Sequence, residues 1–294
     1  MKIFSGRVAV VTGAASGIGL ALAERFAREG MNLVLADING EQLNQVAHSL
    51  RVRGRTVLAV RTDVANARSV AALAKKTFKV FGAVHILCNN AGVNPQGGRY
   101  AAPWQVSLDD WKWAIDVNLW GVIHGIRSFV PSMIAGGDEG HIVNTASISG
   151  MLSGASGSIY GMTKHAIVRV SEGVYASLQD AGAKIGTTVL CPGAVRTAIR
   201  NSEQSSKGDL EPPVDTVAAR LRDKELSDEM MRRAISPDEV ADQTIEAITE
   251  NRFYVLTTSA YDDAIRSRME AILERRNPVF LSGRELASRD GRIK

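Results

Sequence analysis

The chain has 294 residues, 45% of them hydrophobic, with a formal net charge of +4 and two cysteines. That is enough apolar material for a full core, and the basic residues are spread along the chain, clustering only near the C-terminus. The mild positive charge therefore reads as a solvated surface and argues against nucleic acid as a partner.

Cys88 and Cys191 lie in apolar runs and read as small buried hydrophobes, not as a disulfide or a metal pair. The start, Met1 to Arg7, lacks a signal-peptide core, and no apolar run approaches the roughly 18 residues of a membrane span, so a cytoplasmic location is expected.

Arg7 to Val11 is a short β-rich run. Thr12-Gly13-Ala14-Ala15-Ser16-Gly17-Ile18-Gly19 turns it directly into an amphipathic helix, Leu20 to Glu29. Gly30 ends that helix, Asn32 to Ala36 is a second strand, and Asp37 stands at its C-terminal edge, closing a βαβ unit. A helix over about Glu41 to Val52 leads to a third strand, Thr56 to Arg61, whose edge carries Thr62, Asp63 and Val64. Another helix, about Ser69 to Phe81, precedes the strand Val84 to Cys88 and the turn Asn89-Asn90-Ala91-Gly92.

After a polar loop, a helical pattern from Ser107 to about Ser128 holds Trp111, Trp113, Asn118 and Trp120. Tryptophans at this density read as core or subunit-interface residues. Strand His141 to Ala146, helix Tyr160 to Gln179 and strand Lys184 to Cys191 follow, the last ending in Pro192-Gly193. From Ala198 to Ile235 periodicity is lost; such a stretch inside a compact domain reads as a substrate lid, with Leu210, Val214, Leu221 and Met230 among its apolar residues. Ser236-Pro237-Asp238-Glu239 is a capping box opening a helix to about Asn251, and Phe253 to Thr257 is a last strand. A charged helix from Tyr261 and a basic tail complete residues 261–294.

Alternating strands and helices with near-continuous apolar strands predict an α/β fold, a doubly wound parallel sheet covered on both faces. Ligands of such folds lie at the carboxyl ends of the strands, where Gly13, Asp37, Asp63, Asn90, Ser147 and Pro192 all fall. The glycine loop lets backbone approach a pyrophosphate, whose charge the following helix N-terminus stabilises. Asp37 can accept hydrogen bonds from both adenosine ribose hydroxyls and would repel a 2′-phosphate, which favours NAD over NADP. No Lys or Arg occupies Ser16, Ile38 or Asn39 to offset that repulsion. Asp63 either caps the next turn or faces an adenine amino group.

Tyr160 and Lys164 are four apart, so on a helix they share a face. A nearby ammonium favours phenolate and should bring the tyrosine towards working pH, which suits a general acid or base. Ser147, at the end of a strand-like run, can place its hydroxyl beside Tyr160. His48, His85, His124, His141 and His165 lack a shared ligand spacing, and no metal is expected.

These motifs together resemble the short-chain dehydrogenase/reductase family: its Thr-Gly-x-x-x-Gly-x-Gly loop at Thr12 to Gly19, its Asn-Asn-Ala-Gly turn, its Asn, Ser, Tyr and Lys, and its Pro-Gly after a strand. The similarity runs from about Gly6 to Leu256.

It implies a single Rossmann-type domain with a seven-stranded sheet, usually a homotetramer, or a homodimer, that transfers hydride between a nicotinamide and a carbonyl or alcohol carbon. By motif, Tyr160 would be the acid/base, Ser147 would orient the substrate oxygen, Lys164 would lower the tyrosine pKa and bind the nicotinamide ribose, and Asn118 would hold a relay water. Cofactor contacts would come from Gly13, Ser16, Gly17, Ile18, Gly19, Asp37, Asp63, Val64, Asn90, Ala91, Gly92, Pro192, Gly193, Val195 and Thr197.

The C-terminal part is similar to members that oxidise bulky secondary alcohols, including the Cα-dehydrogenases of lignin-derived aryl ethers; other branches reduce 3-oxoacyl thioesters. Intact catalytic motifs favour an enzyme over a non-catalytic dinucleotide sensor on the same fold.

Overall fold

The computed structural model describes residues 1–95, 103–153, 158–197, 199 and 234–278. Seven parallel strands form one sheet: β1 (Val8–Thr12), β2 (Asn32–Asp37), β3 (Val57–Arg61), β4 (Ile86–Asn89), β5 (Gly140–Thr145), β6 (Ile185–Cys191) and β7 (Tyr254–Leu256). Their order is β3-β2-β1-β4-β5-β6-β7. The order reverses between β1 and β4, and in such a sheet that reversal opens a crevice at the strand carboxyl ends.

Strand alternation divides the core. Ala9, Val11, Leu33 and Leu35 pack on one face with Leu22, Phe26 and Val240, while Val8, Val10, Val34 and Ala36 pack on the other with Leu73, Phe129 and Leu178. Period-two side chains buried on both faces explain why these strands read as unbroken apolar runs.

The helices are α1 (Gly17–Arg28), α2 (Gly40–Val52), α3 (Ala67–Phe81), α4 (Leu108–Ala114), α5 (Gly121–Gly136), α6 (Ser158–Asp180), α7 (Pro237–Glu250) and α8 (Asp262–Leu273). The expected capping box forms, with the Ser236 hydroxyl accepting from Glu239 N–H and Glu239 accepting from Ser236 N–H.

The helix expected over Ser107 to Ser128 is different. It begins as α4, passes through a π turn at Ile115–Trp120, and continues as α5 past Pro131 to Gly136, where Gly137 takes a left-handed φ of 70°. A proline inside a helix reads as a stop in sequence, whereas tertiary packing of α5 on α3 carries the helix through it. The four tryptophans also separate: Trp111 packs against Ala114 and Ile159, Trp104 and Trp120 are exposed, and Trp113 faces the crevice described below.

Of the stretch read as a lid, 198–235, only Ile199, Ala234 and Ile235 belong to the described residues. Val195 and Ile235 pair as a parallel bridge, so the two ends of that excursion meet beside β6. The basic tail beyond residue 278 also lies outside the described residues. Among those described, no helix is long and apolar enough to cross a membrane.

His141, the second residue of β5, is 1% exposed. Its Nε2 lies 2.8 Å from the Thr188 hydroxyl, which itself donates to the Arg252 carbonyl, so Nε2 carries the proton. Burial pushes this imidazole down from 6.5 to about 3. Above pH 6.5 folded and unfolded chains both hold it neutral and its stabilising share is intact. As the pH falls from 6.5 towards 3, the unfolded chain takes up a proton that the folded one refuses. Stability should then drop by up to about 1.4 kcal/mol per pH unit from this residue. Urea midpoints from pH 8 to pH 4 should show that acid limb, and His141→Gln should flatten it; an unchanged slope in the variant would assign the limb to other groups.

Candidate active site

The crevice at the β1/β4 switch holds a cavity of about 550 Å³. Local sequence explains how its floor forms. Gly13 has φ 66°, and a Cβ there would lie 2.9 Å from Ala91 Cα, so the β1 turn and the β4 turn touch through backbone. At Gly19 a Cβ would lie 2.0 Å from the Gly13 carbonyl oxygen and 2.7 Å from Asn90 Nδ2, so the first turn of α1 packs directly onto the strand end. Only glycine fits such an approach. Ser16 flanks α1 without capping it with its side chain, which leaves the helix amides facing the crevice unclaimed by that hydroxyl.

Asn90 stitches this floor together. Its Nδ2 donates to the Thr12 carbonyl at 3.0 Å, and its Oδ1 accepts from the Thr145 hydroxyl at 3.2 Å. Asp37 accepts at both oxygens, from Ala15 N–H at 3.0 Å and from Asn39 N–H at 2.9 Å. Its charge is therefore held rigidly between the glycine loop and the start of α2. Asp63 accepts from Ala65 N–H at 3.0 Å, which is the turn-capping role, and also lines the cavity. Both readings of Asp63 are compatible with its place.

Ser147, Tyr160 and Lys164 line the same cavity. The Lys164 ammonium is buried, lies 5.4 Å from the Tyr160 ring centre and donates to the Thr145 carbonyl at 2.9 Å. Burial lowers Lys164 to about 8, so it remains mostly protonated at neutral pH. Burial raises the Tyr160 phenol, against the hydrogen bond from Ser147 that lowers it. The net direction in the protein alone is upward, because desolvation of the phenolate outweighs the Ser147 hydrogen bond.

Asn118 sits behind the wall, not in it. Its Oδ1 accepts from Val93 N–H at 2.8 Å while its Nδ2 donates to the Val93 carbonyl at 3.0 Å and to Thr163 Oγ1 at 3.1 Å. The side chain clamps the segment after β4 to α6. A Cβ at Gly92 would lie 3.2 Å from Asn118 Oδ1 and 3.5 Å from Lys164 Nζ, which shows how closely the three residues meet.

Of the residues picked out in the sequence, Gly13, Ser16, Gly17, Ile18, Asp37, Asp63, Val64, Asn90, Ala91, Gly92, Pro192, Gly193, Val195 and Thr197 all line this cavity. Gly19 packs beneath it. Thr197 reaches across to the glycine loop, since a Cβ on Gly17 would lie 3.2 Å from its methyl.

Ile199, from the stretch read as a lid, adds apolar wall as its place among that stretch's apolar residues suggested; sequence reasoning missed Val93, Trp113 and Val117, which add more of it, and Arg61, whose Nε donates to the Ile38 carbonyl at the lip beside Asp37. Trp113 and Val117 are four apart on α4 and the π turn, a spacing that signals a shared face; that the face meets the crevice depends on packing. Arg61 is opposite Asp37 in the β2–β3 register, which strand pairing alone reveals.

The histidines are dispersed. His85 Nδ1 accepts from Val8 N–H, His124 bonds the Val64 carbonyl and His165 the Gly161 carbonyl.

The family model described as short chain dehydrogenase matches residues 7–208. The chain belongs to the short-chain dehydrogenase/reductase family. As a member it is an oxidoreductase of a family that works with NAD or NADP.

This short-chain dehydrogenase/reductase is 36% identical over 262 residues to a 1-deoxy-11-beta-hydroxypentalenate dehydrogenase of Streptomyces exfoliatus, spanning 89% of this chain and 86% of that one. It is 29% identical over 283 residues to a C alpha-dehydrogenase of a Sphingobium species, with 95% and 89% covered. A short-chain dehydrogenase/reductase from Burkholderia phymatum, solved in complex with NAD, superposes with a TM-score of 0.88 at 42% identity over 96% of this chain and 99% of that one. The glycine cradle and the Asp37 carboxylate are features that such a dinucleotide fits.

Proposed function

We propose that this short-chain dehydrogenase/reductase interconverts a bulky, mainly hydrophobic secondary alcohol and its ketone with NAD, using Tyr160 as acid/base. The observation that carries the reading is the meeting of Ser147, Tyr160 and Lys164 in one cavity whose remaining wall includes Val93, Trp113, Val117 and Ile199. A polar triad in an apolar pocket suits an oxygen carried on an apolar skeleton. The relatives named for dehydrogenating a hydroxypentalenate and a Cα position support a hydroxyl or keto group as the reacting function.

In oxidation, the Tyr160 oxygen in its deprotonated form takes the hydroxyl proton, and Ser147 holds the substrate oxygen at the phenol. Lys164, held by the Thr145 carbonyl, keeps positive charge beside that phenolate and serves to hold a ribose hydroxyl. Asn118 fixes the segment after β4 and, through Thr163, the helix turn carrying Tyr160. A bound nicotinamide supplies the hydride acceptor or donor. In reduction the proton returns from Tyr160. Orientation of the two reacting carbons adds to the rate beyond proton transfer.

The wall residues give the reading a direct check. Truncating Trp113 to alanine removes apolar surface worth about 1.5–3 kcal/mol when fully covered. Trp113→Ala should therefore raise KM for a bulky secondary alcohol by about tenfold or more, while a three-carbon secondary alcohol is little affected. Steady-state kinetics over a size series of alcohols, with NAD and with NADP, measures both. Equal loss on small and large alcohols would place Trp113 in the fold and not in the substrate pocket.

A further inference from the structure

The segment Thr62 to Val64 lines the cavity at the end of β3, the position where an adenine would lie in the dinucleotide reading proposed above. Two hydrogen bonds shape it locally: Asp63 N–H donates to the hydroxyl of Ser69 on α3 at 3.1 Å, and within the turn Ala65 N–H donates to Asp63 Oδ1 at 3.0 Å. A third restraint comes from an element remote in sequence. His124 on α5 lies with Nδ1 2.9 Å from the Val64 carbonyl oxygen. A carbonyl oxygen can only accept, so Nδ1 carries the proton.

The ring is held for that contact, since Trp120 stacks on it with centroids 5.7 Å apart and planes at 24°. Gly121, one residue on, brings the helix so near that a Cβ there would sit 3.0 Å from Val64 Cγ2. Val64 is only 9% exposed, so its carbonyl needs a protein partner, and His124 supplies it.

The same continuous helix also carries Asn118, whose side chain clamps Val93 at both its N–H and its carbonyl. Asn118 and His124 are six residues apart, about 9 Å along a helical rod. One rigid element thus holds both the loop beside the reacting centre and the loop beside the base. We propose that His124 is a positioning residue for the adenine end of the cofactor site: its bond to the Val64 carbonyl sets Asp63 and Val64 where a base is recognised, without touching the reaction. The proposal rests on reading this crevice as a nicotinamide dinucleotide site.

The test pairs His124→Leu, which removes the donor, with His124→Asn, whose amide nitrogen stands where Nδ1 stood. Titration with ADP-ribose reads the adenine half alone. A single neutral hydrogen bond corresponds to about threefold to tenfold in affinity.

The leucine variant should bind ADP-ribose that much more weakly and show the same rise in KM for NAD, with kcat at saturating NAD and KM for the alcohol unchanged. The asparagine variant should recover most of the affinity. Equal affinity in His124→Leu, a fall in kcat, or failure of asparagine to recover overturns the proposal. Should the leucine variant not fold, Gly121→Ala presses a methyl on Val64 from the same helix and should raise KM for NAD alone; an unchanged KM counts against the latch. If wild type binds neither NAD nor ADP-ribose, the dinucleotide reading itself falls. Binding that is indifferent to His124 removes only the latch.

Discussion

Replacing Tyr160 with phenylalanine should lower kcat for alcohol oxidation by about 10²- to 10⁴-fold, the usual contribution of a positioned acid/base, while NAD binding stays essentially intact. The ring keeps its shape, so the cavity wall beside Ser147 and Lys164 is preserved and only the exchangeable proton is lost. The pH dependence carries the sharper signature. Burial holds the phenol above its ordinary range in the free protein, and the base form grows as pH rises. For wild type, kcat/KM for alcohol oxidation should therefore climb towards alkaline pH and that for ketone reduction should decline. Tyr160→Phe should lose this dependence along with the rate. Purified variant protein that turns over substantially, with the alkaline rise intact, would move the proton transfer to another group.

The second large effect concerns Asp37. Two unit charges about 4 Å apart at an effective dielectric near 20 interact by about 4 kcal/mol, so a 2′-phosphate placed against this carboxylate should be strongly disfavoured, and wild type should prefer NAD over NADP by about 100-fold or more in kcat/KM. Asp37 does more than repel. Its two oxygens hold Ala15 in the glycine loop and Asn39 before α2, so Asp37→Ala should weaken NAD as well as relieve NADP. Asp37→Asn, which keeps an acceptor, should lose less NAD affinity. The Arg61 guanidinium, tethered at the Ile38 carbonyl, becomes an available cation for a 2′-phosphate once the carboxylate charge is gone. Adding Arg61→Ala to Asp37→Ala should withdraw much of the gain with NADP. Steady-state constants for both cofactors across the four proteins decide the matter, and a wild-type preference for NADP would count directly against the argument.

Much of this architecture is legible in short-range patterns. The glycine loop of Thr12 to Gly19, the acidic residue closing β2, the Ser236 capping box and the Tyr160/Lys164 spacing are local signals, because turn geometry, helix caps and side-chain periodicity depend on neighbours within a few residues. The unbroken apolar runs declared parallel strands, since a sheet covered on both faces buries every side chain. Together these place the cofactor-site candidates on one rim before any coordinate is known.

Other features belong to packing across the chain. Trp113 looks in sequence like core or interface; the π turn after α4 and the packing of that helix on α6 turn it into cavity wall. Pro131 looks like a helix stop, yet α5 runs through it because its apolar face is already committed to α3. Lys164 and Tyr160 at helical spacing suggest a lowered phenol, whereas the burial that raises the Tyr160 phenol in the free protein depends on how much water the packed fold removes. The Arg61–Ile38 contact comes from strand register, and the His124–Val64 bond joins residues 60 apart in sequence. Local sequence therefore decides which elements form and which motifs terminate them, because backbone geometry and periodicity are short-range. Which side chains share a cavity, and how burial shifts their charge, is decided only when those elements pack and solvent is excluded between them.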